Sequence, residues 1–526
     1  MTHPRLATYL AKGVSQTPLP PVAIALLDSL GEGAVFRWLV PLVVLSILLT
    51  RIAPSSSKGV NLATPFWKIG SPPAGLNLSG DAKDTRFSRF SHGEELSDEW
   101  RSRYGTQPHW TRNGGVTEVV LSTPAQVMSF YHRDAKLHTK RDSIGFGHYF
   151  GRLLGKCVGA IDGERWTLLR GIFDPHFTHR VSLSLGPAML GLVEDWAESL
   201  SDSGGLSSFD LEAIEATSKL PFKIISLAIF GHVVLEEENF ERLWSMVKLH
   251  EEIFQYAALH RWAKHAAYQA CFWTRANRIM GQFQREFAQF CLDMVAKDTN
   301  SPAAEMHSRV KDKTMTMDEF TQTIDEILFA NIDVTAAVIA WTLIHIAQTP
   351  GVQPWLLQDF VTQESATTRP DVLFSDYICA TDTILHWTIM ESMRLSPPTF
   401  FSLPEQSGQH KVLPGGGVLP AGTPVIIDAW TLNRRSEVWG TDSLEFDPTR
   451  FRDLKASDYR YSLWRFGMGP RKCVGQFFAD KIIKMAVYSV LKRYDLKVHG
   501  DAPSPRHDRM TNTPQGRLLF TPRSLG

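Results

Sequence analysis

Between Thr316 and Pro350 the chain runs without a single glycine or proline, and this stretch constrains the fold more than any other. Thr316 with Glu319 three residues on forms a capping box, which predicts a helix start. At roughly 1.5 Å per residue the helix that follows is about 50 Å long. Over residues 327–346 it is apolar nearly all round, so it must pass through the middle of a large body rather than lie on its surface. The rest of the chain can supply that body: 526 residues, 43% of them hydrophobic, with 15 tryptophans. Residues 120–400 read mainly as helix. Residues 410–430 hold Pro and Gly turns followed by Pro424-Val425-Ile426-Ile427, a strand. The expected class is mainly α with a small β part. Within the apolar helix sit Asn331, Asp333 and Thr335. A buried carboxylate costs several kcal/mol, roughly, unless something satisfies it, so Asp333 needs either a salt-bridge partner or a chemical task.

The N-terminal region carries a different signal. Residues 34–53 form an apolar span of about 20 residues once Arg37 and Arg51 are allowed to snorkel, the length that crosses a bilayer core. A cleaved signal peptide and an interfacial helix are the rival readings, but the run begins late and no small-x-small cleavage site follows. Lysines and arginines stand on both sides, so charge does not orient the span. The expected organisation is a segment 1–33, a transmembrane anchor 34–53, a Pro/Ser-rich linker 54–70 and a catalytic body 71–526, with membrane lipid as a partner. Residues 297–316, rich in Lys, Asp, Ser and Pro, are expected to be a surface loop. Lys+Arg and Asp+Glu are equal at 55 each, so nothing suggests a polyelectrolyte attraction to nucleic acid, and no nucleic-acid partner is expected. Five widely spaced cysteines without a C-x-x-C pair point to a reducing compartment, with a thiolate free for chemistry.

Cys473 is the cysteine whose context marks it. It ends the glycine-rich stretch Phe466-Gly467-Met468-Gly469-Pro470-Arg471-Lys472-Cys473-Val474-Gly475 and leads into a helix expected from about residue 474 to 494. Helix dipole, free backbone N–H groups and the neighbouring Arg471 and Lys472 are expected to favour the thiolate, the state a metal requires. Two glycines and a proline let the backbone turn tightly beneath a flat ligand, with Phe466 packing beside the sulfur.

Position for position, this loop resembles the F-x-x-G-x-R-x-C-x-G haem-binding signature of the cytochrome P-450 superfamily of haem-thiolate monooxygenases. Other matches follow in the family's order. Glu391-Ser392-Met393-Arg394 is similar to its E-x-x-R, and Phe446-Asp447-Pro448-Thr449-Arg450-Phe451 to its F-x-P-x-R-F. Trp166-Thr167-Leu168-Leu169-Arg170 resembles its W-x-x-x-R. The resemblance implies the cytochrome P-450 fold with the long central helix over haem. It implies haem b with Cys473 as axial iron ligand, Phe466 beside it, and Trp166, Arg170 and Arg471 on the haem propionates. A triad of Glu391, Arg394 and Arg450 would lock the region leading to the Cys loop. At the family's third propionate position, after the E-x-x-R helix, no basic residue stands, and His410 is only a weak substitute. The resemblance further implies electrons from NADPH through a separate NADPH-cytochrome reductase, with cytochrome b5 as a further donor. It places the body on the cytosolic face of the endoplasmic reticulum membrane, which leaves the Asn77-Leu78-Ser79 sequon unused.

One family motif is broken. Where the central helix should read A/G-G-x-D/E-T-T, this chain has Ala330-Asn331-Ile332-Asp333-Val334-Thr335. The usual glycine is Asn331, and the usual alcohol after the acid is Val334, with Thr335 about 100° further round the helix. Because the family's acid–alcohol pair relays protons to the dioxygen site, Asp333 is expected to be the proton source. Asn331 would hold a water or a polar substrate group, and Thr335 is the nearest remaining alcohol. The expected activity is oxidation of a small, largely apolar organic molecule by hydroxylation, ring closure or desaturation, in the style of fungal secondary-metabolite members. A reductase-independent isomerase or dehydratase is the alternative, and a haem-based sensor is disfavoured by the lack of a visible signalling domain. Pocket walls are expected from 141–158, 221–254, 327–335 and 397–403, with Phe254, Tyr256 and Phe400 suggesting an apolar or aromatic substrate.

Overall fold

A computed structural model describes residues 75–523 apart from 115, 141–146, 202–206, 259, 261–262, 264–265 and 367–373. The expected segment 1–33, anchor 34–53 and linker 54–70 lie outside the described residues. The short helix Ala266–Ala270 falls in a separate unit from the body described below.

Six helices position the site: α1 (Gly163–Phe173), α2 (Ala213–Phe230), α3 (Glu237–Ala258), α4 (Met317–Gln348), α5 (Ile384–Leu395) and α6 (Gln476–Arg493). The central helix α4 starts as expected. Thr316 caps it, the Thr316 hydroxyl accepts from Glu319 N at 3.2 Å, and Glu319 Oε2 accepts from Thr316 N at 2.7 Å. Although α4 is long and apolar enough to cross a membrane, 88% of its most apolar stretch is buried inside the protein. Two small residues let α2 approach it closely. Ala336 and Ala337 pack on Ile214, and the Thr217 hydroxyl donates to Ala336 O at 3.0 Å.

The β part comprises β1 (Gly80–Asp84), β2 (His109–Asn113), β3 (Val116–Leu121), β4 (Phe209–Glu212), β5 (Glu405–Gln406), β6 (Lys411–Val412), β7 (Val418–Leu419), β8 (Pro424–Ile427), β9 (Tyr494–Pro505) and β10 (Pro514–Pro522). The largest sheet has the order β1-β2-β3-β8-β5, β9 and β4 flank β10, and β6 pairs with β7. β8 is the expected strand. It pairs in parallel with β3, Val119 against Val425 and Leu121 against Ile427. Those four side chains enter one core cluster with Phe130 and Trp464, while the alternate residues Val120 and Ile426 enter another with Trp100 and Phe400. Burial on both faces explains why β8 reads as a continuous apolar run without alternation.

Two boundaries differ from the sequence expectation. Residues 297–316 are not a loop throughout, because Pro302–Lys311 is a helix capped by Ser301, with Ala303, Met306 and His307 buried. Ser followed by Pro at the first helical position is a helix start, and the buried residues recur at helical spacing within a polar-looking stretch. The helix after Cys473 begins at Gln476 rather than 474, with Gly475 as its N-cap.

Candidate haem-binding site

α5 and the segment that follows it form the rigid frame beneath the site. Glu391 and Arg394 are fully buried and joined twice, at 2.7 Å each, through Arg394 Nε and Nη2. Arg450 Nε reaches Glu391 Oε1 at 3.2 Å, and the same oxygen accepts from Asp447 N at 3.1 Å. The remaining face of Arg394 donates to the carbonyls of Asn433 (3.1 Å) and Ser443 (2.7 Å). The expected triad is therefore assembled, and it ties α5 to three later chain segments through the fully buried Glu391–Arg394 pair.

The Cys loop is a tight reversal closed by Cys473 N donating to Phe466 O at 2.8 Å. Gly467 and Gly469 adopt φ of +77° and +66°. At Gly469 an added Cβ would also come within 3.2 Å of the Ala135 Cβ, so glycine serves both the backbone conformation and the close approach. Cys473, Phe466 and Arg471 line a cavity of about 490 Å³ whose walls also include Trp166, Arg170, Asp333 and Thr335. All the described site residues expected from the sequence thus face one space. Asn331 lies within α4, and its side chain is outside the described residues. His410 is exposed and is not among the lining residues, so it is no substitute for the missing third cation.

The cations that favour the Cys473 thiolate are not its sequence neighbours. Burial pushes its thiol above the ordinary range, and the Gly475 N–H only partly offsets this. The cations that favour the thiolate are Arg170 and Lys140, with Glu326 opposing them. Arg471 instead donates to Ile161 O at 3.0 Å and stacks on Trp166 at 4.6 Å. Arg170 meets the same indole at 5.8 Å and pairs with Asp174 at 2.7 Å. A thiol raised by burial loses its proton when a metal binds, because the cation supplies the charge the protein withholds.

The surroundings fit a flat, dianionic, metal-bearing group. Arg471 Nε is buried without a hydrogen-bond partner among the described residues, and burial pulls its guanidinium below its ordinary range. An anion placed there would satisfy it. Lys140 also lines the cavity, and burial lowers its ammonium while Glu405 and Glu326 draw it back up. Lys140 escaped the sequence reading because it belongs to no motif and lies in the irregular chain after the helix Pro124–Tyr131.

Further walls come from Phe150, Phe254, Phe329 and Phe400, giving the cavity an aromatic belt. Phe254 and Phe400 are where the sequence suggested. Tyr256 is not among the lining residues and is linked to Glu252. Residues 508–511, in the turn between β9 and β10, also line the cavity and were not foreseen. From that turn Arg509 reaches Glu251 on α3 at 2.8 Å and Asp333 on α4 at 3.6 Å. Burial raises the Asp333 carboxyl, Arg509 lowers it and Glu251 raises it. Asp333 therefore has both the ion-pair partner and the cavity exposure that its position demanded.

Known proteins agree with this geometry. The family model described as cytochrome P450 matches residues 88–521. The chain is 33% identical to cytochrome P450 monooxygenase lepD of Aspergillus flavus, over 79% of this chain and 82% of that one. It is 30% identical to cytochrome P450 monooxygenase PUL2 of Kluyveromyces lactis, over 77% and 81%. It is also 30% identical to cytochrome P450 monooxygenase apdB of Emericella nidulans, over 81% and 86%. With a family match spanning most of the chain and a cysteine loop, buried E-x-x-R frame and cation-lined cavity in place, the protein belongs to the cytochrome P450 family of haem-dependent monooxygenases.

Proposed function

We propose that the protein oxidises a small, largely apolar organic molecule in fungal secondary metabolism, using dioxygen and electrons that an NADPH-cytochrome reductase delivers. Cytochrome b5 is a second electron donor in this reading. Residues 34–53 anchor the chain in the endoplasmic reticulum membrane with the body in the cytosol. The observation that carries the reading is that Cys473 and Asp333 line one aromatic-belted cavity. Haem b, with Cys473 as its thiolate ligand, supplies the dioxygen-activating redox chemistry, since an electron-rich thiolate favours O–O cleavage. Trp166, Arg170, Arg471 and Lys140, which line the cavity, would hold its propionates, and Phe466 would pack beside the sulfur.

The chain's own part in the reaction is positioning and proton supply. Phe150, Phe254 and Phe329 seat an apolar substrate and keep bulk water out. Asp333, raised by burial, holds a proton at its carboxyl at a pH where an exposed aspartate has lost it. Arg509, a cation that cannot itself pass a proton on, fixes Asp333 beside Glu251, whose side chain is 35% exposed, so the Asp333 proton is replaced from water that enters at that side of the cavity. Val334 offers no hydroxyl beside the acid, so delivery passes through an ordered water, Thr335, Asn331 or a polar group of the substrate. In this reading the altered motif goes with ring closure or desaturation, in which the substrate loses a second hydrogen in place of gaining an oxygen, alongside hydroxylation. The same Val334 supports a second reading, a reductase-independent isomerase or dehydratase. Growth of the producing organism with and without the gene under isotopically heavy dioxygen separates these. A product carrying one heavy oxygen supports hydroxylation, and an unlabelled product lighter by two hydrogens supports ring closure or desaturation. An unlabelled isomer or dehydrated product formed without NADPH overturns the monooxygenase reading.

A further inference from the structure

Outside the cavity, two segments far apart in sequence bring metal-ligating side chains together. His92 caps the helix Gly93–Tyr104, Glu95 lies in its first turn, and His507 stands in the turn between β9 and β10. One ligand atom from each of the three lies within 4.8 Å of the others. The separation of His92 Nδ1 and Glu95 Oε2 is 3.5 Å. That is close to the roughly 3.4 Å between neighbouring ligands of a tetrahedral ion bound at about 2.0–2.1 Å. The two imidazoles stack at 4.4 Å, and all three side chains are open to solvent, His507 at 46% and His92 at 47%.

Two further observations favour a cation at this cluster. His507 Nδ1 lies 2.5 Å from Ser91 O, and since a carbonyl only accepts, Nδ1 is the donor and Nε2 is the ring nitrogen left to meet a ligand. A backbone carbonyl holding the far ring nitrogen is the usual support of a metal-binding histidine. Beside His507, at 3.7 Å, is Glu94, whose Oε2 is buried with no hydrogen-bond partner among the described residues.

We propose that His92, Glu95 and His507 bind a divalent transition metal of the zinc class, which ties the turn at 506–513 to the helix Gly93–Tyr104. Two histidines and a glutamate are a zinc ligand set, with water or Glu94 completing the shell. The tie sits beside the cavity. Asp508 and Arg509, which follow His507, line it, and so does Phe400, against whose ring an added Cβ at Gly93 would come within 2.4 Å. Metal binding would therefore stiffen one wall of the cavity.

The test is zinc titration by calorimetry of the full-length, haem-loaded protein and of three variants, His92→Ala, His507→Ala and His499→Ala. His499 is an exposed histidine paired with Asp210 away from the cluster, and serves as the control. Visible haem spectra confirm that each variant is folded. One zinc per chain is expected to bind to the wild type and to the His499 variant, and to bind more than about tenfold more weakly to the other two. Zinc should also slow amide exchange at 506–513 in the wild type but not in His507→Ala. Absence of one-to-one binding, or equal affinity in all three variants, overturns the site. Binding that leaves exchange at 506–513 unchanged overturns the tie.

Discussion

Replacing Arg394 by methionine removes a fully buried cation, and the cost can be worked from its partners. Glu391 loses two charge-assisted hydrogen bonds of 2.7 Å, and the carbonyls of Asn433 and Ser443 lose their donor. Breaking one side of a buried ion pair costs about 3–5 kcal/mol, mostly because the remaining charge stays buried. That is a large fraction of a typical total stability of about 5–15 kcal/mol. Arg394→Lys should recover only part of it, since one ammonium cannot serve Glu391 and two carbonyls in the geometry of a planar fork. The double variant Glu391→Met/Arg394→Met should cost less than the sum of the two single variants, because removing both charges ends the penalty that each leaves behind. It should not reach wild-type stability, because Arg450 Nε and Asp447 N then lose Glu391 as their acceptor, although Arg450 keeps Asp442. Urea unfolding of the haem-loaded protein, followed by circular dichroism, measures all four. An Arg394→Met variant within about 1 kcal/mol of wild type, or strict additivity of the single changes, would refute the reasoning.

Three other expectations follow from the site. Arg471→Met removes a buried guanidinium whose Nε has no protein partner. A charged hydrogen bond is worth about 1.5–3 kcal/mol, so haem transfer to an apo-globin acceptor should be favoured by roughly tenfold to a hundredfold in the variant. Asp333→Asn cannot release a proton, so more of the NADPH consumed should end as hydrogen peroxide. The fall in coupled turnover as pH rises through the elevated Asp333 pKa should disappear with it, and unchanged coupling would remove Asp333 from the mechanism. Burial holds His109 down to about 4 and His345 and His386 to about 3. Below pH 6.5 the unfolded chain therefore gains protons that the folded one refuses, and stability falls with pH. Asp428, raised by burial to about 6, acts in the opposite sense. Near pH 5.5 these four groups together should give a net uptake of about two protons on unfolding, readable as the slope of unfolding free energy against pH.

Much of this was legible before any coordinates. The capping box and the unbroken apolar run gave α4 its start and its burial, because both signals are local to the helix. The Cys loop and the E-x-x-R were equally readable, since fixed spacing within one turn determines which groups meet. What escaped depends on long-range approach. Lys140 belongs to no motif, and Arg509 comes from a turn far along the chain from Glu251 and Asp333. The cations around Cys473 escaped for the same reason. Arg471, its neighbour in sequence, turns away onto Trp166, and the cations that favour the thiolate, Arg170 and Lys140, come from distant segments. The helix Pro302–Lys311 was missed because its polar face outnumbers the residues it buries.

The central claim is that Cys473 is the thiolate ligand of a haem seated in this cavity. The carbon monoxide difference spectrum of the reduced, full-length protein tests it directly, compared with that of Cys473→His. A Soret band at the thiolate-ligated position in the wild type, moved to the imidazole-ligated position or lost in the variant, is the predicted result. A thiolate-type band that survives the substitution would mean that another group holds the iron, and would contradict the account.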